Sequence, residues 1–161
     1  MDDAPPPPAF GETELRLIET AERLFAQSGI ADVSIRGLIA AAGQRNQRAV
    51  VYHFGSLEGV VESLIRLRRH EINARELEAL HAAGPARRPA GGREPAAREL
   101  ERHVRALLEA TGRVATHTPW GPSFVKMYPA LLLRLAPGTR AALPATLWSA
   151  HELVLEAYAV V

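Results

Sequence analysis

At 161 residues with 47% hydrophobic side chains, the chain can bury one domain, or two small ones sharing an interface. Its formal net charge of +1 gives no bulk attraction to a polyanion, so any basic surface must be local. The absence of cysteine excludes a disulfide framework and a thiolate metal site. The acidic, proline-rich start is no secretory signal, and no run of about 18 apolar residues offers a membrane span, so a soluble, cytoplasmic protein is expected.

Residues 1–11 read as a disordered arm, because Pro5 to Pro8 favour extended, solvated backbone. The first helix is expected over Glu12 to Ser28. Leu15, Ile18, Ala21, Leu24 and Phe25 make its apolar stripe, Glu12 and Glu14 suit its positive end, and Gly29 stops it.

The stretch from Val33 to Phe54 then reads as two short helices joined by a glycine turn. Ser34 is an N-cap residue, and Ile35, Leu38 and Ile39 follow at helical spacing. Gly43 stands where the first of the pair should end. Gln44, Arg45, Asn46, Gln47 and Arg48 then open the second helix, with Ala49, Val50 and Phe54 anchoring it. Arginine can bond guanine O6 and N7 together, and asparagine or glutamine can do the same for adenine N6 and N7. Residues 1–82 hold nine arginines against twelve carboxylates, yet Val33 to Phe54 has three arginines and no carboxylate. A positive patch in an acidic setting points to a targeted contact, as in a helix-turn-helix lying in the major groove. Taken alone, a polar surface helix facing water fits the same residues.

The flanks carry a resemblance. Ala21, Leu24, Phe25 and Gly29 precede the motif, Ser34, Arg36, Ile39, Ala40, Ala42 and Gly43 form its first half, and Tyr52, Phe54 and Ser56 close it. In this order they resemble the N-terminal DNA-binding domain of tetracycline-repressor-type (TetR) transcriptional regulators, over about residues 12–66. Departures are Gly37, where the family commonly has an acidic residue, Leu57 in place of a lysine, and one extra residue between Gly43 and Tyr52. The resemblance implies an all-α fold. In it a three-helix helix-turn-helix domain (12–55) is joined by a long helix (56–82) to a C-terminal helical effector and dimerisation domain. It assigns base edges and adjacent phosphates to Gln44, Arg45, Asn46, Gln47 and Arg48, and phosphates to Ser34, Arg36, Tyr52 and His53. Family members sometimes use the N-terminal arm in the minor groove. This one has no Lys or Arg before Arg16, so no such contact is expected.

Ser56 caps the long helix, which carries Val60, Val61, Leu64, Ile65, Leu67, Ile72, Leu77 and Leu80. Arg66, Arg68, Arg69 and His70 read as a solvated face paired with Glu62, Glu71 and Glu76. Residues 83–95, rich in Pro and Gly, form a linker. The second module (96–161) starts with a helix to about His117, buried through Leu100, Val104, Leu107, Leu108 and Val114. Pro119 to Pro122 break it, a helix with Phe124, Val125, Tyr128, Leu131, Leu132 and Leu135 follows, and Pro137-Gly138 end that one. A last helix begins by Pro144. His117, Trp120, Phe124, Met127, Tyr128, Trp148 and His151 can line an apolar pocket with a few polar points, and they can equally be core. The resemblance favours a pocket for a small apolar or amphipathic effector.

No two histidines have metal-binding spacing, and no phosphate loop or nucleophile elbow occurs, so no metal, cofactor or catalytic role is expected. Glu99 and His103, one turn apart, read as a surface hydrogen bond. The reading is a ligand-responsive regulator, a repressor on double-stranded DNA, acting as a homodimer because two motifs on a twofold axis read a pseudo-palindrome. The chain stops at Val161 in an apolar run, so the last helix is expected to be cut short or the dimer surface reduced. Leu147, Leu153, Val154, Leu155 and Tyr158 are the expected dimer surface. The alternative is a helical protein-interaction module that does not bind DNA.

Overall fold

The computed structural model describes residues 8–46, 48–85, 93–141, 143 and 149–158. Among the described residues there are eight α-helices and no strand. In chain order they are α1 (Glu12–Ser28), α2 (Ile35–Ala41), α3 (Ala49–Phe54), α4 (Leu57–Ala83), α5 (Arg93–His117), α6 (Gly121–Arg134), α7 (Pro137–Ala141) and α8 (Ser149–Tyr158). A 3₁₀ turn, Ile30–Asp32, follows α1. The fold is all-α. The chain divides into two compact units, one of Pro7–Arg68 with Pro119–Leu143, the other of Arg69–Thr118 with Pro144–Val161. The division falls inside α4.

In the first unit, α1 starts where the Glu14 carboxylate accepts the Gly11 N–H at 2.8 Å. Leu17, Ile18, Ala21 and Phe25 are its buried apolar residues, recurring every three or four positions. Leu38 and Ile39 of α2, which packs on α1, Ala49 and Val50 of α3, and Val60, Val61, Leu64 and Ile65 at the start of α4 are buried in the same unit. Phe124, Leu131 and Leu135 add the apolar side of α6.

The arginines of α4 overturn the solvated-face reading. Arg66 does pair with Glu62 one turn away, at 2.8 Å. Arg68 and Arg69 are buried. They sit in the helical series 64, 65, 68, 69, 72, 76, which turns them to the interior. Arg68 reaches Glu22 of α1, Nε donating at 3.1 and 3.2 Å to its two oxygens and Nη2 at 2.7 Å. The opposite side of that guanidinium lies over Trp120, 4.5 Å from the ring centroid.

In the second unit, Glu76 is fully buried. It accepts from Thr111 Oγ1 at 2.8 Å and from Arg69 Nη2 at 3.2 Å, with His151 Nδ1 at 3.5 Å. Asn73 receives the Ala150 N–H at 3.1 Å and donates to Ser149 Oγ at 2.9 Å, holding the start of α8. Leu77, Leu80, Leu107, Ala150 and Val154 form the apolar core of this unit.

Four further expectations change. Leu100, Val104 and Leu108 are exposed, because the buried seam of α5 is 103, 107, 110 and 114 and positions four apart from 100 drift onto a neighbouring face. His103 is no surface residue. It is fully buried, with Nδ1 2.8 Å from the Glu99 carbonyl and Nε2 3.1 Å from the Gly84 carbonyl, while the Glu99 carboxylate pairs with Arg102. Tyr158 packs on His103, its hydroxyl 3.2 Å from Nδ1. Burial holds that phenol above its ordinary pKa, the Glu99 carboxylate adds to the rise, and Arg102 opposes it. Next, α6 ends at Arg134, and Pro137 opens α7, where its missing N–H is no loss. The linker expected over 83–95 gives way to α5 at Arg93; residues 86–92 lie outside those described.

Replacing Arg68 by Met strands a buried carboxylate at Glu22 and should cost about 3–5 kcal/mol of stability in urea unfolding. The double replacement Arg68→Met with Glu22→Leu should recover most of that loss. Equal losses in both variants would show that packing on Trp120, and not charge pairing, is what the single variant removes.

Candidate nucleic-acid interface

The Ser34 hydroxyl accepts the Gly37 N–H at 3.1 Å and starts α2 in an N-cap. Gly37 stands at the third helical position, so the acidic side chain that would complete a capping box is missing. At the other end Gly43, with φ 64°, carries a double closure. Its N–H bonds the Ala40 carbonyl at 3.1 Å, and the Gln44 N–H bonds the Ile39 carbonyl at 3.0 Å. This is a Schellman motif, and it requires the left-handed backbone that glycine adopts without strain.

The expected helix from Gln44 does not start there. Among the described residues of 44–48 none is helical, and α3 begins at Ala49 with Arg48 as its N-cap residue. The local cause is Asn46. Its Oδ1 accepts the Arg48 N–H at 2.9 Å and its carbonyl accepts the Ala49 N–H at 3.1 Å. Such a side-chain turn competes with helical hydrogen bonding, as short polar side chains do. The described residues of the polar segment therefore form a turn leading into a short helix, with the glycine bend intact.

The surface remains outward. Arg45, Asn46 and Arg48 are exposed and Gln44 is half-buried; Gln47 lies outside the described residues. On α3, Ala49 and Val50 are 3% and 0% exposed while Val51 and Tyr52 are 54% and 81% exposed. One side of the helix is thus seated on the core and the other is free. Ser34 and Arg36 are exposed on α2. His53 is half-buried, its Nδ1 3.4 Å from Glu14 Oε1 of α1 and its ring edge-on to Tyr52 at 4.9 Å. Its Nδ1 edge is directed by α1.

Two residues escape the sequence reading. Val51 presents an apolar surface beside Tyr52, the type of contact that meets a thymine methyl. Gly59 lies at the start of α4, beneath the end of α3. Its N–H is capped by Ser56 Oγ at 3.1 Å, and a Cβ there would fall 2.0 Å from the Phe54 carbonyl oxygen. Glycine in the first turn after a capping serine is the signal that was available.

Of the seven residues expected to line an effector pocket, the six described fall in both units. Trp120, Phe124 and Tyr128 form an aromatic row along α6, with centroid separations of 5.9 and 5.4 Å, and Met127 is buried a turn away. His117 and His151 belong to the other unit, His117 exposed at the end of α5 and His151 beside Glu76 on α8. Trp148 lies outside the described residues, as does Leu147. Of the expected dimer surface, Val154 is buried within its own chain, Leu153 is half-buried against the same core, Tyr158 is engaged with His103, and Leu155 is exposed. Among the described residues no group of three His, Asp or Glu is placed to hold a metal, and no helix is long and apolar enough to cross a membrane.

Capped helix, glycine bend, polar turn and a short helix seated by one side make this a DNA-binding helix-turn-helix regulator. The model of the bacterial regulatory proteins of the tetR family matches residues 17–64, which contain all of these features. Over that stretch the chain is similar to tetR-type transcriptional regulators. Among solved structures it is similar to the TetR family transcriptional regulator PfmR from Thermus thermophilus. The identity is 28%, with a TM-score of 0.56, over 92% of this chain and 69% of that one. The multidrug binding protein EbrR, crystallised with imidazole, shares 24% identity over 94% and 93% of the two chains, with a TM-score of 0.41. No curated protein matches the chain.

Replacing Gly59 by Ala drives a side chain into the Phe54 carbonyl and should cost at least about 1–3 kcal/mol. A lowered thermal midpoint together with weaker DNA binding is the expected result, and an unchanged midpoint would show that α4 can shift freely against α3.

Proposed function

We propose that this chain is a ligand-responsive repressor that binds a pseudo-palindromic operator as a homodimer and leaves it when a small apolar or amphipathic effector binds. The observation that supports operator reading most directly is the exposed set Arg45, Asn46, Arg48, Val51 and Tyr52, in a stretch without carboxylates and backed by buried Ala49 and Val50. Arg45 and Arg48 supply guanidinium forks for guanine edges or phosphates, and Val51 supplies an apolar contact. Ser34, Arg36, Tyr52 and His53 flank them as phosphate ligands; the Ser34 oxygen accepts from Gly37 and its O–H remains to donate outward. One six-residue helix reads few bases, which is the argument for two motifs related by a twofold axis.

Selection of random duplexes on the purified protein, followed by a mobility shift on the recovered sequence, tests the reading. Affinity should fall about a thousandfold between about 50 and 200 mM salt if several phosphates are neutralised. Salt-insensitive association, or no enriched palindrome, would favour a protein-binding module instead. Arg48→Ala should weaken operator binding by about 1–3 kcal/mol and relax the sequence preference at one position if it grips a guanine. A uniform loss across sequences would place it on a phosphate.

A further inference from the structure

A groove of about 750 Å³ runs between the C-terminal end of α1, the turn after it and α6, all within the first unit. Its apolar wall is made by Phe25, Ile30, Met127 and Leu133. Leu133 is 76% exposed, a large apolar side chain left facing water at the rim of the groove. Among the described residues the ionisable side chains on the wall are Lys126 and Arg134, and no carboxylate lines the groove. They stand on one face of α6, eight residues apart and about 12 Å along the axis, with Ala130 between them. Neither is ion-paired among the described residues, whereas Arg16, Arg66 and Arg105 each hold a carboxylate one turn away. Helix α6 contains no Asp or Glu to serve them.

We propose that this groove binds an amphipathic anion, an unbranched alkyl chain ending in a carboxylate. The tail covers half-buried Ile30 and exposed Leu133, over a floor of buried Phe25 and Met127. The head meets Arg134, whose planar fork matches the two oxygens of a carboxylate, and Lys126 adds positive potential along the groove. An apolar groove alone would take a neutral chain equally well. The cation pair without local carboxylates is what selects an anion. Met127 lets the wall adapt to chain length. This names an effector site for the ligand-responsive reading above and rests on it for its regulatory meaning. The groove shares α1 with the DNA-binding domain, and α1 carries the Glu14 that directs His53.

Calorimetric titration of the full chain with decanoate, in the absence of DNA, tests it. Decanoate should saturate a single site, with decanol at least tenfold weaker. Arg134→Gln and Lys126→Glu should each lower decanoate affinity about tenfold, and Ala130→Trp should abolish the binding by filling the groove. All three positions are exposed on α6, and circular dichroism melts matching the unsubstituted chain verify that each variant is folded. Equal affinity for decanoate and decanol, or decanoate binding unchanged by Ala130→Trp, would overturn the proposal. With no DNA in the cell, such a failure leaves operator binding to be judged separately by the mobility shift.

Discussion

The guanidinium of Arg68 is the constraint on which the first unit depends. It gathers three segments far apart in sequence: Glu22 of α1, its own helix α4, and Trp120 at the start of α6. Burying both charges is costly, and their attraction offsets that cost only when geometry and hydrogen bonding are both satisfied. Here the contact is two-pronged and one side of the guanidinium is covered by an indole, so one arrangement of the three helices meets the requirement. Apolar neighbours such as Leu17, Ile18 and Leu64 supply most of the burial but tolerate sliding. A bidentate ion pair does not. The position of α1 that follows then sets Phe25 against α6, and, through Glu14, fixes the edge of His53 beside α3.

Arg69, the next residue along α4, has a comparable role in the second unit. Successive residues point about 100° apart around a helix, so neighbouring arginines serve different surroundings. Arg69 meets Glu76, which also accepts from Thr111 of α5, and Asn73 fixes the first turn of α8. Each unit is thus packed by leucine, isoleucine and valine and kept in register by a polar contact that only one register satisfies.

Much of this was legible in the sequence, for identifiable reasons. Ser34, Gly43 and Ser56 mark helix ends because each performs a hydrogen-bonding task that few other residues perform, so type and position together determine structure. The stripe of α1 was legible because apolar residues recur at helical spacing. What escaped was polar. Arg68, Arg69, Asn73 and Glu76 look like a solvated face by composition, and only their place in the buried series of α4 says otherwise. The start of α3 escaped because Asn46 can either join a helix or close a turn on Arg48, and residue type does not decide between them. His103 escaped because its partners are backbone carbonyls, which no motif displays. Gly59 carries no motif that distinguishes it in sequence, though the close passage of Phe54 demands it.

The late start of α3 also changes how a surface of this kind can discriminate. A helix of six residues offers few side chains, and two of them, Ala49 and Val50, are committed to the core. Polar groups therefore project partly from the turn, where precision must come from something other than helical geometry. It comes from both sides of the turn: the Schellman closure at Gly43 fixes its entry, and the Asn46 side chain fixes its exit. Asn46 is limited by that task, since an oxygen already accepting the Arg48 N–H is poorly placed to take part in a two-point contact with adenine. Its amide N–H₂ is left as a donor, and within the proposed reading base discrimination shifts to Arg45 and Arg48, with Val51 adding an apolar contact. Rigidity of the turn then becomes a condition of sequence preference, and Asn46 contributes mainly by holding its neighbours.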